Sequence, residues 1–263
     1  MADWNFITTS KQGDVATLSI NRTDKLNALT PGVFAELSQA IDEALAAGAR
    51  ALVLTGEGRF FCSGADIQPD GVGYAGLPED LGELLEASYN PFARKVADLS
   101  IPVVTALNGP AAGAGVSLAL AGDIVVMAEN AYLLLAFVNI GLVPDAGATW
   151  LVARSVGRAR ALEMALLGER LSAADAQAVG LVTRVVPDGD VLATAQELAA
   201  KLAAGPTLAI GLIRRQVAYA LDNDFNASLD RETANQSILG RSADMEEAIA
   251  AFGEKRKPQF KGQ

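Results

Sequence analysis

Short apolar runs alternate with longer segments of helical spacing through the first half of the chain. Apolar or β-branched runs bounded by turn residues predict strands at residues 5–9, 15–20, 51–54, 103–107, 124–128 and 132–135. Apolar residues at helical spacing predict helices over residues 31–47, over 80–99 with an interruption near Pro91, and from a Gly- and Ala-rich turn to residue 120. Repeated strand–helix units of this kind indicate an α/β fold.

The second half of the chain has a mostly helical pattern. Helices are predicted over residues 149–156, 159–167, 173–179, 191–204, 207–220, 226–239 and 245–252, with one short strand at 181–186. We therefore predict an α/β core at residues 1–200 and a helical C-terminal region at residues 201–263.

The Gly- and Ala-rich turn belongs to residues 108–124, NGPAAGAGVSLALAGDI, which follow a predicted buried strand. Small residues let the backbone approach a ligand closely, and the first amides of a helix have no intrahelical partner. Such a turn is able to hold an oxygen that becomes negative during a reaction. Close packing of a helix on a strand explains the same composition, and both interpretations stay open here.

Composition narrows the class of protein. The net charge of −10 argues against general nucleic-acid binding, which needs a basic surface. The basic stretch KRKPQFK at residues 255–261 suits either an anionic small molecule or a solvated tail. The single cysteine, Cys62, forms no intrachain disulfide and fits a reducing compartment. No signal-peptide pattern and no uncharged apolar run of about 18 residues occur, so we expect a cytoplasmic protein without a membrane span.

The chain contains no histidine. This excludes a Ser-His-Asp triad, a Cys-His dyad and a histidine-ligated metal site within the chain. General acid–base chemistry therefore falls to Asp, Glu, Lys, Tyr or Cys side chains. Cys62 has no histidine to activate it, and we expect it to pack beside Phe61.

Six segments occur in an order that is informative as a set. They are KLNAL at 25–29, FFCSGADI at 60–67, the Gly- and Ala-rich segment at 108–124, GLVPDAGAT at 141–149, LSAADAQAVGLVTRVV at 171–186 and AFGEKRKPQFKG at 251–262. Together they resemble the enoyl-CoA hydratase/isomerase family, also called the crotonase superfamily, over nearly the whole chain. The resemblance implies a spiral of ββα units with a helical C-terminal region that builds trimers or hexamers.

The resemblance also implies an acyl-CoA thioester as ligand, so that coenzyme A enters with the substrate and no separate cofactor or metal is expected. Two backbone amides, those of Ala65 and Ala114, are implied as the oxyanion hole for an enolate-like intermediate, with Gly113 beside them. One such donor typically contributes about 3–4 kcal/mol to stabilising a transition state. Contacts with the coenzyme A moiety are implied for Lys25, Ala28, Ala65, Asp66, Ile67, Lys255, Lys257, Phe260 and, over the adenine, Phe252.

The chain departs from the hydratase pattern of the family, and the resemblance therefore implies an isomerase that shifts a double bond or rearranges an epoxide in an enoyl- or aryl-CoA, with one aspartate as acid and base. Hydratases of the family carry two glutamates, at the positions of Ser117 and Phe137 here. Asp145, in LVPDAG, matches a carboxylate of the family's isomerases, and the branch acting on 1,2-epoxyphenylacetyl-CoA is the most similar. A free aspartate has a pKa near 3.9, too low for an effective base. We expect desolvation by Phe137, Leu142, Val143 and Trp150 to raise it.

Other interpretations stay open. Asp145 after Pro144 also suits a simple turn. A hydratase with unconventional residues, a dehalogenase or hydrolase with Asp145 as nucleophile, and a catalytically silent CoA-binding protein are the alternatives to an isomerase. The Gly- and Pro-rich segment 68–78, with Tyr74 and Leu77, is predicted to shape the acyl pocket.

Overall fold

The computed structural model of the chain describes residues 4–67 and 80–263. The predicted acyl-pocket segment 68–78, with Tyr74 and Leu77, lies outside the described residues. Within the described ranges, no helix combines the length and the apolar character that crossing a bilayer requires.

The described residues form two sheets, and the larger one, of six strands, lies at the centre. The strands of the two sheets together are β1 (Ile7–Gln12), β2 (Val15–Ile20), β3 (Ala51–Gly56), β4 (Val103–Leu107), β5 (Ala111–Ala112), β6 (Ile124–Ala128), β7 (Tyr132–Leu134), β8 (Arg170–Ser172) and β9 (Arg184–Val186). The central sheet has the order β1-β2-β3-β4-β6-β9. Only β1 and β2 pair antiparallel within it, and the other neighbours are parallel. Strands β2, β3 and β4 are buried along their whole length, which explains their continuous apolar runs.

A second sheet holds the Gly- and Ala-rich turn in place. It has the order β5-β7-β8, with β5 parallel to β7 and β7 antiparallel to β8. The amide of Gly113, directly after β5, donates to the Leu134 carbonyl at 2.9 Å. The sequence pattern did not predict β5 or β8, because strands of two or three residues leave no periodicity to detect.

The helices confirm most of the predicted pattern. They are α1 (Pro31–Ala46), α2 (Leu81–Leu84), α3 (Asn90–Asp98), α4 (Ala114–Leu120), α5 (Ala148–Leu167), α6 (Ala173–Ala178), α7 (Val191–Ala203), α8 (Thr207–Asp222), α9 (Phe225–Leu239) and α10 (Ala243–Glu254). At the start of α1, the Thr30 hydroxyl accepts a hydrogen bond from the Val33 amide, and Pro31 takes the first position.

Some strand boundaries differ from the prediction. Strand β1 begins at Ile7 and continues to Gln12, so the turn before β2 is shorter than predicted, and β9 begins at Arg184 rather than at residue 181.

Two predicted breaks in helices are confirmed. The helices predicted at 149–156 and 159–167 are the two parts of α5, which are separated by a non-helical residue, Gly157 (φ 74°, ψ 169°). The interruption predicted near Pro91 is a π-helical turn at Leu85–Tyr89 between α2 and α3, because the missing N–H of Pro91 disrupts regular helical hydrogen bonding.

The C-terminal tail folds back onto its own chain. The buried carboxylate of Asp244 accepts hydrogen bonds from the amides of Lys261 and Gly262, at 2.7 and 2.9 Å. The Arg50 guanidinium donates to the Phe260 carbonyl at 3.0 Å and to the Thr207 hydroxyl at 2.7 Å. These contacts connect the predicted helical region to the central sheet, and the division at residue 200 stays a prediction.

Candidate active site

Two glycine turns meet at the carboxyl side of the central sheet. Gly64 (φ 94°) and Gly113 (φ 52°) adopt left-handed backbone that other residues rarely take. A Cβ on Gly64 would lie 2.8 Å from the Ala112 carbonyl oxygen and 3.5 Å from the Ala114 amide nitrogen. The amide of Ala112 donates to the Cys62 carbonyl at 3.0 Å and fixes one turn against the other. A side chain on Gly64 would therefore require the backbone to shift, whereas a Cβ on Gly113 would meet only the Gly64 Cα at 3.8 Å, so Gly113 is required by its backbone conformation alone.

The predicted oxyanion donors are unused amides. Ala114 is the first residue of α4, so its N–H has no intrahelical acceptor. Around Ala65, the Leu29 amide donates to the Gly64 carbonyl at 2.7 Å, and the Asp66 amide donates to the Leu29 carbonyl at 2.9 Å. Within residues 4–67 and 80–263, no acceptor lies on the amides of Ala65 or Ala114. These two N–H groups are therefore available to a ligand oxygen.

A buried ion pair supports the turn that carries Ala65. Arg22 Nη2 lies 2.9 Å from Asp66 Oδ2, and the Asp66 side chain is 1% exposed. The same guanidinium donates to the Ala28 carbonyl at 2.5 Å. Asp66 was predicted on the ligand-facing loop, but its carboxylate faces Arg22 and braces the loop. Of the other residues predicted in these two loops, Ile67 is exposed, Lys25 is half-buried and Ala28 is buried.

Asp145 lies in a turn that precedes α5. Its carbonyl oxygen accepts from the Ala148 amide and from the Ser117 hydroxyl, each at 2.9 Å. Its Oδ1 atom is buried and has no hydrogen-bond partner in the described part of the chain. Burial raises the pKa of this carboxyl from 3.8 to about 6. The raised pKa agrees with the expectation that desolvation makes Asp145 a stronger base.

The four apolar residues predicted to enclose Asp145 differ in how far their side chains are buried. Phe137 is buried, whereas Leu142 is 40% and Val143 78% exposed. The Trp150 indole N–H points to Asp222 at 3.4 Å, and its ring stacks under the Arg154 guanidinium at 4.6 Å. Phe137 is thus the one apolar residue of these four that is buried in the described structure.

A small cavity of about 20 Å³ lies between α4 and the turn that follows Asp145. Its wall includes Ala114, Ser117, Ala146, Phe34 and Tyr89. The α4 helix therefore contributes to the oxyanion turn, the cavity and the loop of the candidate base at once.

Sequence reasoning missed Tyr89. This residue is buried, its ring lies 4.5 Å from the Phe34 ring, and its hydroxyl has no hydrogen-bond partner among the described residues. Burial raises the pKa of the phenol, and the nearby Asp145 carboxylate raises it further. The signal that could have identified Tyr89 is its position just before Pro91, where the helix leaves regular hydrogen bonding.

Cys62 packs in the core, as predicted. Burial raises the pKa of its thiol to about 12, so the thiolate is not populated near neutral pH. The Sγ atom accepts a weak hydrogen bond from the Gly64 amide at 3.4 Å. A nucleophilic role for Cys62 has no support in this environment.

The predicted coenzyme A contacts of the tail lie on exposed surface. Phe252 is 88% exposed at the end of α10. Lys255 and Lys257 are exposed, and Phe260 is half-buried. The intervening Arg256 pairs with Glu247 and Glu254. Binding of coenzyme A by these residues stays a prediction.

Comparison with known proteins identifies a common family. The model of the enoyl-CoA hydratase/isomerase family matches residues 10–263. The chain is 44% identical to the 1,2-epoxyphenylacetyl-CoA isomerase of Escherichia coli (strain K12), covering 98% of both chains. It is 43% identical to a probable enoyl-CoA hydratase of Rhodobacter capsulatus, covering 94% of this chain and 95% of that one.

Solved structures agree with this comparison. An enoyl-CoA hydratase from Polaromonas sp. JS666 superposes with a TM-score of 0.91 at 34% identity, covering 97% of this chain and 99% of that one. An enoyl-CoA hydratase from Bacillus anthracis gives 0.92 at 31% identity, covering 98% and 100%. The predicted α/β spiral fold with C-terminal helices is confirmed.

Proposed function

The chain belongs to the enoyl-CoA hydratase/isomerase family, and we propose that it is an isomerase of acyl-CoA thioesters. The proposed reaction shifts a double bond, or rearranges an epoxide, in an enoyl- or aryl-CoA. The observation that carries the proposal is the half-buried carboxylate of Asp145, with a raised pKa and a buried Oδ1 atom that has no hydrogen-bond partner among the described residues. The named isomerase among the relatives, at 44% identity, supports it.

In the proposed mechanism, the thioester oxygen accepts hydrogen bonds from the amides of Ala65 and Ala114. Their fixed positions stabilise the negative charge that develops on this oxygen without reorganisation of the protein. For a double-bond shift, Asp145 removes a proton beside the carbonyl, the enolate forms, and the protonated Asp145 returns the proton at another carbon. Proton count and charge are restored at the end, so neither water nor a redox partner takes part.

The surroundings favour isomerisation over hydration. The Ser117 hydroxyl donates its hydrogen to the Asp145 carbonyl, and Phe137 is apolar and buried. None of the described residues that line the small cavity is a carboxylate that could accompany Asp145. A water molecule would therefore lack the pair of acid–base groups that its addition to a double bond needs.

Hydration is the second candidate, because a probable hydratase is 43% identical and a 2,3-dehydroadipyl-CoA hydratase of Escherichia coli is 34% identical. Incubation with 2-enoyl-CoA, 3-enoyl-CoA and ring-1,2-epoxyphenylacetyl-CoA in deuterium oxide, followed by mass spectrometry, separates the two. Isomers of unchanged composition, apart from exchanged deuterium, support the proposal. Addition of one water contradicts it, and binding without turnover favours a silent CoA-binding protein.

We also propose a homotrimer or hexamer as the active assembly. Apolar side chains remain exposed at helical spacing on two C-terminal helices: Ile213, Val217 and Leu221 on α8, and Met245, Ile249 and Phe252 on α10. Such stripes are typical of surfaces covered by another subunit. Light scattering coupled to size-exclusion chromatography tests this, and a monomer at micromolar concentration would contradict it.

A further inference from the structure

We propose that Ser117 is a positioning residue for Asp145, holding the backbone of the candidate base at a fixed place relative to the oxyanion turn. The proposal rests on the proposed function for its catalytic consequence. It assigns a role to a position at which the family resemblance supplies no acid–base group.

The contact itself is direct and buried. The Ser117 side chain belongs to a residue that is 2% exposed, and its hydroxyl donates to the Asp145 carbonyl at 2.9 Å. The same carbonyl accepts the Ala148 amide at 2.9 Å. Both lone pairs of this oxygen are therefore occupied, one by the first residue of α5 and one by α4.

The turn after Asp145 needs such support. Ala146 (φ 49°) and Gly147 (φ 91°) follow one another in left-handed backbone, which is unfavourable for alanine. Strained backbone of this kind persists only where the surroundings fix it. Loss of the Ser117 hydroxyl would leave the Asp145 carbonyl held from one side only.

The carboxylate has no support of its own. No described residue donates a hydrogen bond to the carboxylate of Asp145, and its Oδ1 atom is buried without a partner. The direction of the carboxylate therefore depends on where the backbone of residue 145 is held. In an enzyme, displacement of a reacting group by about 1 Å is able to reduce the rate about 100-fold.

Helix α4 joins this support to the oxyanion turn. Ala114 and Ser117 are three residues apart and lie on the same side of one helical turn. One short rigid element thus fixes the amide for the thioester oxygen and the hydroxyl for the base loop. The distance between oxyanion donor and base is set through Ser117.

The test compares four variants with a thioester that the wild-type enzyme isomerises. Ser117→Ala is expected to lower kcat about 10- to 100-fold with KM changed less than about 2-fold, because the binding amides stay in place. Ser117→Thr keeps the hydroxyl, and the adjacent cavity of about 20 Å³ receives its methyl group, so most of the activity should return. Ser237→Ala, which removes a comparable hydroxyl-to-carbonyl contact of 3.0 Å on α9, should behave as wild type.

The variant Asp145→Asn distinguishes the positioning role of Ser117 from the isomerase mechanism on which it rests. If it is inactive while Ser117→Ala retains wild-type kcat, the positioning role is wrong and the isomerase mechanism stands. If Asp145→Asn retains full turnover, the mechanism itself is wrong. A crystal structure of Ser117→Ala gives a readout that needs no substrate: displaced or disordered backbone at residues 145–147 supports the proposal, and unchanged backbone overturns it.

Discussion

Arg22 and Asp66 form a buried ion pair that ties the loop before α1 to the turn carrying an oxyanion donor. The pair is shielded from solvent, since the Asp66 side chain is 1% and the Arg22 side chain 12% exposed. The pair therefore braces the turn of small residues that carries the amide of Ala65.

Removing one partner of this pair should destabilise the protein strongly. Asp66→Ala leaves the Arg22 guanidinium without its carboxylate, and the free energy of unfolding should fall by about 3 kcal/mol. Urea denaturation measures the change. Glu163→Gln, which removes the exposed pair with Arg160, is the matched control and should cost less than about 1 kcal/mol. An Asp66→Ala variant as stable as that control would show that the pair does not brace the loop.

Gly64 should not tolerate a side chain. Gly64→Ala would place a Cβ 2.8 Å from the Ala112 carbonyl oxygen in a backbone with φ of 94°, so the two turns must separate. The expected result is a loss of activity of at least about 100-fold, as for removal of one oxyanion donor.

Gly48→Ala is the control for this change. Gly48 has φ of 77° but nothing within 4 Å of its Cβ position, so its replacement strains the backbone without a collision. We expect reduced stability and normal kcat in Gly48→Ala. Equal kcat in both variants would mean that the contact of the turns is not required for catalysis.

The pH dependence should report Asp145. The base must be ionised and its pKa is about 6, so kcat/KM should fall as the pH is lowered through 6. A profile measured from pH 4.5 to 8 on an isomerised thioester gives the midpoint. A fall in kcat/KM centred near pH 4, where an exposed aspartate titrates, would show that Asp145 is not desolvated in the working enzyme.

The free energy of unfolding should also depend on the ionisation of Asp145, and it should change with pH in the opposite direction to that expected for a salt-bridged aspartate. A raised carboxyl pKa means that the folded chain binds the proton more tightly than the unfolded chain. Ionisation of Asp145 therefore lowers stability as the pH rises from about 4 to above 6. Asp145→Asn should gain on the order of 1–2 kcal/mol relative to wild type over this range, since the partly exposed group feels a reduced penalty. Urea titrations at pH 4 and 7 measure the difference, which a pH-independent result would contradict.

The tail lysines should affect recognition of coenzyme A rather than chemistry. Lys255→Ala with Lys257→Ala should raise KM for a CoA thioester several-fold and leave kcat unchanged. The matching N-acetylcysteamine thioester lacks the nucleotide phosphates, so its KM should not respond. Equal effects on both thioesters would show that these lysines do not pair with the phosphates.

Much of this architecture follows from the sequence, for identifiable reasons. Long elements with clear periodicity, such as α1 with its Thr30 cap, were predicted to within a residue or two. Elements defined by partners distant in sequence were not predicted: β5 exists because Ala111 pairs with Leu133, and no local pattern encodes that pairing.

The candidate site shows the same difference between features that a local sequence pattern encodes and features that depend on distant partners. Asp145 and the turns of Ala65 and Ala114 carry a sequence motif, so the sequence singled them out, and their catalytic roles stay predictions. Three further features depend on side-chain directions that only the folded chain fixes. They are the contact of Asp66 with Arg22, the contact of Ser117 with Asp145 and the burial of Tyr89.

The meeting of Gly64 and Gly113 also bears on how this scaffold changes over evolution. In the proposed mechanism, the groups that stabilise the enolate are main-chain amides, and any substitution at Ala65 or Ala114 other than proline would leave them in the molecule. We therefore expect formation of the enolate to tolerate changes at these two alanines and to depend on the backbone that Gly64 and Gly113 allow. Substitutions at Phe137 and Asp145, in contrast, would redirect the same intermediate toward different products.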